Sequence, residues 1–288
     1  MTNQQLNSEH EQWLEWRRQG IGATDACVIM QVSPWKTSRQ LWEEKVFGNS
    51  VQPENSAMTR GKALEPIARS WFEETMNITV FPKNKVHILH DWVRASLDGI
   101  DMEEKILVEI KCPNKEDHLT AVGKKVPEKY WPQVQHQLLV TGLPGMYYCS
   151  YNGTQGAIVE VARDDSYIES MFSEEEKFWH MVLNKESPEL TEHDFLDMKS
   201  NREWQLLEMR WIENNEILGR AEKLDKEIRQ SMISLAQQNN AKGTGVKVSK
   251  SICQGMLDYK QARIDHPEID WEYYRKKAGT KWNFRATS

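Results

Sequence analysis

The stretch Leu107-Val108-Glu109-Ile110-Lys111-Cys112-Pro113 sets a carboxylate and an ammonium two residues apart in an apolar, β-branched run. Strand side chains alternate, so Glu109 and Lys111 share one face while Ile106, Val108 and Ile110 share the other. A charged pair on a strand is commonly a solvated ion pair. Leu107 on the same face and Cys112-Pro113 directly after it fit that reading poorly. Upstream, Asp98-Gly99 reads as a turn. If residues 92–98 and 105–111 pair as antiparallel strands, Asp98 comes back alongside Glu109. Two hard carboxylates side by side can hold Mg²⁺. Such a metal polarises a phosphate oxygen and lowers the pKa of a bound water. A neighbouring lysine can position or deprotonate that water, or neutralise charge building on phosphorus. Asp98, Glu109 and Lys111 therefore form a compact set for phosphodiester hydrolysis.

The surrounding pattern predicts the elements that would hold this set. Residues 1–8 read as disordered, and His10–Gln19 as a short helix ending near Gly20. Thr24 or Asp25 is the expected cap of a second helix, and Thr37 or Ser38 of a third carrying Leu41, Trp42 and Val46. An amphipathic helix is expected over 59–77. Strands are expected over 78–82, 85–90 and 92–98, then 105–113 after the turn headed by Asp98-Gly99. A further helix should run from near Pro127 to Gly142, and two strands should flank an Asn152-Gly153 hairpin turn. From Asp165 to about Gln238 the chain reads as mostly helical, with a strand at 246–251. The fold class is a mixed α/β core with a helical C-terminal extension.

Composition removes several functional classes. The net charge of −6 argues against a surface coated for nonspecific nucleic-acid binding, though not against a local basic groove. Residues 247–288 hold nine Lys+Arg against five Asp+Glu. There Tyr273, Tyr274, Trp282 and Phe284 interleave with Arg275, Lys276, Lys277, Lys281 and Arg285, a pattern suited to single-stranded DNA or to a folded cap. No run approaches a membrane span, and the polar N-terminus lacks a signal peptide, so the expected location is the cytoplasm. Cys27, Cys112, Cys149 and Cys253 are far apart and form no CxxC pair, which argues against a zinc cluster or disulfide framework. His87 and His90, spaced HxxH, would face opposite sides of a strand and make a poor metal pair. His136 reads as a core or groove histidine. No Gly-rich phosphate loop is present.

Four blocks taken together resemble the PD-(D/E)xK nuclease superfamily, and within it the phage-type alkaline exonucleases, the lambda exonuclease and YqaJ-like recombinase family. They are residues 13–25, 60–68, 95–113 and 130–142, in the family's order. The resemblance implies a restriction-endonuclease-like core, a central mixed sheet flanked by helices. Asp98 and Glu109 would be metal carboxylates, with the Ile110 carbonyl as a further ligand. Lys111 would activate the attacking water. Glu65 would complete a two-metal site, and Gln133 would lie beside it, with Gln135 a weaker candidate. Leu97-Asp98 stands where the family has Pro-Asp, and the proline is not a ligand. Arg17, matched by its spacing from Trp13 and with Arg18 beside it, would join Thr24 and Ser96 in a pocket for a terminal 5′-phosphate. Asp25 would support that pocket.

The resemblance further implies an Mg²⁺-dependent exonuclease, with Mn²⁺ as an alternative metal. It would digest double-stranded DNA from 5′-phosphate ends and leave 3′ overhangs for recombination. The implied assembly is a homotrimeric ring, the implied partner a phage single-strand annealing protein, and the implied setting a phage or prophage gene in a bacterial host. Competing readings are a non-catalytic DNA-end-binding scaffold and an endonuclease of the same fold. An iron–sulfur version would need cysteines at cluster spacing, which these four lack. The expected organisation is an exonuclease core over 9–185 and a helical extension over 186–240. A C-terminal basic-aromatic segment over 241–288 would pack on the core or contact DNA or a partner.

Overall fold

In a computed structural model, residues 3–48, 56–253, 255–271, 273–274, 276 and 284 are described. The chain divides into two compact units, Met1–Leu196 and Asp197–Ser288. The first holds α1 (Asn3–Arg18), α2 (Ala23–Ile29), α3 (Ser38–Phe47) and α4 (Ser56–Met76). These lead into the strands β1 (Phe81–Val86), β2 (Arg94–Ile100) and β3 (Leu107–Lys111). Then come α5 (Lys115–Val122), α6 (Trp131–Thr141), β4 (Gly145–Tyr151), β5 (Gly156–Ala162) and α7 (Asp165–Asn184).

The five strands form one sheet in sequence order. β1–β2, β2–β3 and β4–β5 are antiparallel, while β3–β4 is parallel. A parallel step needs a long crossover, and α5 and α6 supply it. The mixed α/β class expected from the sequence is what the chain adopts.

The alternation of β3 decides where its charges go. Val108 and Ile110 join Ala68 and Phe72 of α4 in one core cluster. Leu107 joins Val134 and Leu138 of α6 in another, with Ala26 of α2 and Met171 of α7. Glu109, on Leu107's side, is thereby turned toward α6 and is only 1 % exposed. The third cluster packs Leu41 and Trp42 of α3 against Ile29 and Phe178.

Local signals explain most boundaries. Thr37 caps α3, accepting from the Gln40 N–H at 3.1 Å, and Gly48 ends it with φ +73°. Gly142 ends α6 at φ +72°. Asn152 Oδ1 accepts the Thr154 and Gln155 N–H groups, both at 2.9 Å, and so closes the β4–β5 hairpin.

Several expectations fail for physical reasons. α1 begins at Asn3, so the helix takes in residues read as disordered; Met1 and Thr2 lie outside the described residues. The cap of α2 is Gly22, not Thr24 or Asp25. Asp25 sits at the third helical position and accepts the Gly22 N–H at 2.9 Å, so it satisfies the helix start from inside. Residues 78–80 are not in a strand, and 87–91 form a loop rather than a continuation of β1. Asp98-Gly99 is not a turn; both residues lie inside β2. Gly99 is required by packing, because a Cβ there would meet Val80 Cγ2 at 2.6 Å and Val108 Cγ1 at 2.8 Å.

In the second unit, α8 (Arg202–Leu235) runs 34 residues. β6 (Ala241–Lys242) pairs with β7 (Lys247–Val248), and α9 (Tyr259–Asp265) follows. The expected strand at 246–251 is only that two-residue pairing. In the basic-aromatic segment, Arg275, Lys277, Lys281, Trp282 and Arg285 lie outside the described residues. No helix among the described residues is long and apolar enough to cross a membrane.

Candidate active site

β2 and β3 pair at Gly99↔Val108 and Ile100↔Leu107. One step further along, Asp98 comes beside Glu109, and there a side chain replaces the ladder. Asp98 Oδ2 accepts the Ile110 N–H at 2.8 Å. Its own carbonyl accepts from Arg69 Nε at 3.1 Å, which ties this end of β2 to α4. The antiparallel return predicted for Asp98 is present, produced by strand register instead of by a turn at Asp98.

Glu109 is held by three donors. Lys111 Nζ and Gln133 Nε2 donate to its Oε1, and Gln137 Nε2 donates to its Oε2. Burying a carboxylate costs several kcal/mol unless it is paired and hydrogen-bonded, and these donors are that compensation. Gln133 and Gln137 are one helical turn apart on α6, hence on one face. Gln137 was missed by sequence reasoning, although its i,i+4 relation to Gln133 was the signal that could have found it. Gln135 faces elsewhere: its amide bonds the Ala162 carbonyl and the Asp164 N–H, each at 3.0 Å.

The electrostatics of the set are unbalanced. Burial and the adjacent Glu109 charge push the Asp98 carboxyl up to about 8, against the pull of Lys111. Burial disfavours the Lys111 ammonium, but the Glu109 and Asp98 charges outweigh it and hold its pKa above the ordinary lysine value. Two carboxylates thus share one cation. A hard divalent ion is the partner that relieves such repulsion, and two carboxylates of this kind fit its oxygen-donor chemistry. Glu65 is linked to this set through Arg69. Its carboxylate pairs with Arg69 at 2.8 Å, one residue removed from Asp98. Among the described residues no group of three His, Cys, Asp or Glu side chains that could hold a metal occurs.

A second cluster forms where α1 meets α2. Arg17 Nη2 donates to Thr24 Oγ1 at 3.0 Å and lies 3.5 Å from Asp25 Oδ1. The Arg17 guanidinium also lies over the Trp13 ring, 5.0 Å from its centroid. Trp13 Nε1 donates to Ser96 Oγ at 3.1 Å, which in turn donates to Asn84 Oδ1 at 2.8 Å. Arg17, Thr24 and Ser96 are therefore gathered through Trp13. Arg18 instead pairs with Glu15 at 2.7 Å, which separates the two neighbouring arginines.

Beneath this cluster lies an ion pair the sequence reading did not foresee. Lys45 Nζ donates to Asp25 Oδ2 at 2.6 Å and to the Arg17 carbonyl at 2.8 Å, with both charged side chains at most 3 % exposed. Burial would raise the Asp25 carboxyl, but the Lys45 and Arg17 charges and the Gly22 N–H hold it down at about 2. The available signal was Lys45 itself, a charge one turn after Leu41 on the apolar stripe of α3.

His136 is fully buried; its Nδ1 bonds Glu175 Oε1 at 2.7 Å and its Nε2 faces the Arg94 carbonyl at 2.9 Å. The His87 and His90 rings stack 5.2 Å apart in the β1–β2 loop.

Residues 12–144 match the YqaJ-like viral recombinase domain. The uncharacterized protein YqaJ of Bacillus subtilis (strain 168) is 27% identical over 277 residues, 92% of this chain and 85% of that protein. The crystal structure of an alkaline exonuclease (LHK-Exo) from Laribacter hongkongensis is 26% identical, with a TM-score of 0.53. That similarity covers 61% of this chain and 93% of the other. The structure of LHK-Exo in complex with dAMP gives 27% identity and a TM-score of 0.54 over the same shares. The core has the fold of these enzymes, the PD-(D/E)xK fold expected from the four sequence blocks.

Proposed function

We propose, from the match of residues 12–144 to the YqaJ-like viral recombinase domain, that this chain is a divalent-metal-dependent exonuclease. It digests one strand of double-stranded DNA from a 5′ end and leaves a 3′ single strand for recombination. The observation that carries the reading is the convergence of Asp98, Glu109 and Lys111 at the end of the β2–β3 ladder, two carboxyl groups to one ammonium. The alkaline exonucleases that share the fold support the same chemistry.

Asp98 and Glu109, with the Ile110 carbonyl, would hold Mg²⁺ or Mn²⁺; Glu65 is the candidate for a second ion. When bound, such a metal lowers the pKa of a water and polarises the phosphodiester. The chain's own residues do the rest. Gln133 and Gln137 fix the Glu109 carboxylate, so its oxygens need not reorganise when charge develops. Lys111, held as an ammonium by its two carboxylate neighbours, orients the attacking water and offsets charge on the phosphorus oxygens. Arg17 presents a planar fork suited to a terminal phosphate, and Thr24 and Ser96 add hydroxyl donors. Lys45 neutralises Asp25, which leaves the Arg17 charge available to that phosphate. A ring of three copies around DNA, and an annealing protein on the exposed strand, are the assembly and partner this reading carries.

The test uses duplex DNA with Mg²⁺: a linear 5′-phosphorylated form, a linear 5′-hydroxyl form and a closed circle. The reading expects nucleotide release from phosphorylated ends, slower release from hydroxyl ends and none from circles. It also expects Arg17→Ala to erase the difference between the two linear ends. Cleavage of circles would make the protein an endonuclease. Binding of duplex ends without cleavage would make it a scaffold.

A further inference from the structure

Three aromatic rings run in series from the protein surface to Lys111. Trp35 stacks on Tyr130 at 6.0 Å between centroids and 27° between planes, and Tyr130 stacks on Tyr148 at 6.1 Å and 29°. The Lys111 ammonium sits 5.6 Å from the centroid of the middle ring, Tyr130. Tyr130 and Tyr148 are buried, but Trp35 is 53 % exposed. A second cation joins the outer end: Lys129 Nζ lies 5.2 Å from the Trp35 centroid and 5.4 Å from that of Tyr130, and pairs with Asp117 at 2.6 Å.

A single exposed tryptophan is ordinary on a protein surface. This one is held in place. The Val32 and Ser33 N–H groups both bond the Cys27 carbonyl at 3.0 Å, and the Trp35 N–H bonds Ser33 Oγ at 3.3 Å. On the other side, the Thr37 cap fixes the start of α3. A rigid, half-open indole flanked by a lysine, one ring away from the lysine of the hydrolytic set, has the chemistry of a base-stacking platform. Stacking suits any base, because every base has a π-face.

We propose that Trp35, backed by Tyr130 and Lys129, stacks on a nucleobase of the DNA strand whose phosphate reaches Lys111. The platform rests on the nuclease reading for its substrate, and it adds a binding residue that none of the four sequence blocks contains. It acts by holding the strand, so it governs KM more than kcat.

The test places 2-aminopurine at successive positions from the 5′ end of a phosphorylated duplex. Binding is followed by its fluorescence in the presence of a chelator, so that no cleavage occurs, for wild type, Trp35→Ala and Trp35→Phe. Nucleotide release with Mg²⁺ is measured on the same proteins. Quenching confined to one or two positions is expected for wild type, kept in Trp35→Phe and lost in Trp35→Ala. KM for linear duplex should rise about five- to a hundred-fold in Trp35→Ala, with kcat within about twofold. Thermal melting of Trp35→Ala close to that of wild type checks that the loss is local. An active wild type with the same quenching pattern and KM in Trp35→Ala would overturn the platform and leave the nuclease standing; Trp35 would then be a candidate contact for a protein. Position-specific quenching by a wild type that releases no nucleotide would overturn the nuclease reading and keep the platform.

Discussion

Two lysine–carboxylate pairs of the first unit, Asp25–Lys45 and Glu109–Lys111, bury their carboxylates and differ in one respect. Asp25–Lys45 joins α2 to α3 with both side chains out of water, and its further contacts are the Gly22 N–H, the Arg17 carbonyl and the Arg17 guanidinium at 3.5 Å. Glu109–Lys111 lies within a single strand, and a second carboxylate, Asp98, stands against it. In the first the carboxylate is fully compensated, by Lys45 and by Arg17. The second sets two carboxyl groups against one ammonium, a crowding that pushes the Asp98 carboxyl up to about 8, and Lys111 remains partly exposed. A balanced buried pair fixes geometry; an unbalanced one with access to solvent keeps a place for a cation and a substrate. On this comparison Asp25–Lys45 is the frame of the Arg17 cluster, and Glu109–Lys111 is the reacting centre we propose.

Exchanging the lysines tests that contrast most strongly. Lys111→Ala should lower kcat about 10²- to 10⁴-fold. Its melting temperature should fall less than that of Lys45→Met, because Glu109 keeps both glutamine donors. Lys45→Met should cost about 3–5 kcal/mol of stability by stranding a buried carboxylate, read by denaturant unfolding. Adding Asp25→Asn, which keeps an acceptor for the Gly22 N–H, should recover most of that loss. A larger stability loss at Lys111 than at Lys45 would break the distinction.

Titration separates the closed pairs by sign. The Asp25 carboxyl is held down at about 2 from an ordinary 3.8. Its contribution is therefore complete above pH 3.8 and is lost as pH falls toward 2, an effect of about 2 kcal/mol. His136 goes the other way. Burial opposes its charge, but Glu175 and the Arg94 carbonyl outweigh burial and raise its pKa above 6.5. The stability from that pair is full below pH 6.5 and fades as pH rises through the elevated value. Melting across acid and alkaline pH, with Asp25→Asn and His136→Gln as references, should show each loss disappear in its own variant. The His136 effect is the smallest expected here.

What could be read from the sequence follows how local each feature is. Glu109 and Lys111 are two residues apart, and strand alternation alone put them on one face. The Gly142 helix end follows an equally local rule, whereas Gln133 came only from the resemblance to the family. Asp98 was matched to Glu109 for the right outcome through the wrong device. Asp-Gly reads as a turn, yet Gly99 serves the close packing of Val80 and Val108, and the strand runs on to Ile100. The Lys45–Asp25 pair spans 20 residues, and the Trp35–Tyr130–Tyr148 series joins a loop, a turn and a strand. Such contacts are decided by tertiary packing, which no short window records. Glu65 came from position matching to the family alone; its carboxylate pairs with Arg69, whose Nε bonds the Asp98 carbonyl.

The most direct measurement is nucleotide release from a 5′-phosphorylated linear duplex with Mg²⁺, run side by side for wild type and Asp98→Asn, with and without chelator. The unbalanced site predicts release by wild type, none with chelator, and a fall of at least about 10²-fold in Asp98→Asn. An Asp98→Asn protein that releases nucleotide at the wild-type rate, or a wild type that releases none, would contradict the assignment of Asp98, Glu109 and Lys111 as the reacting centre.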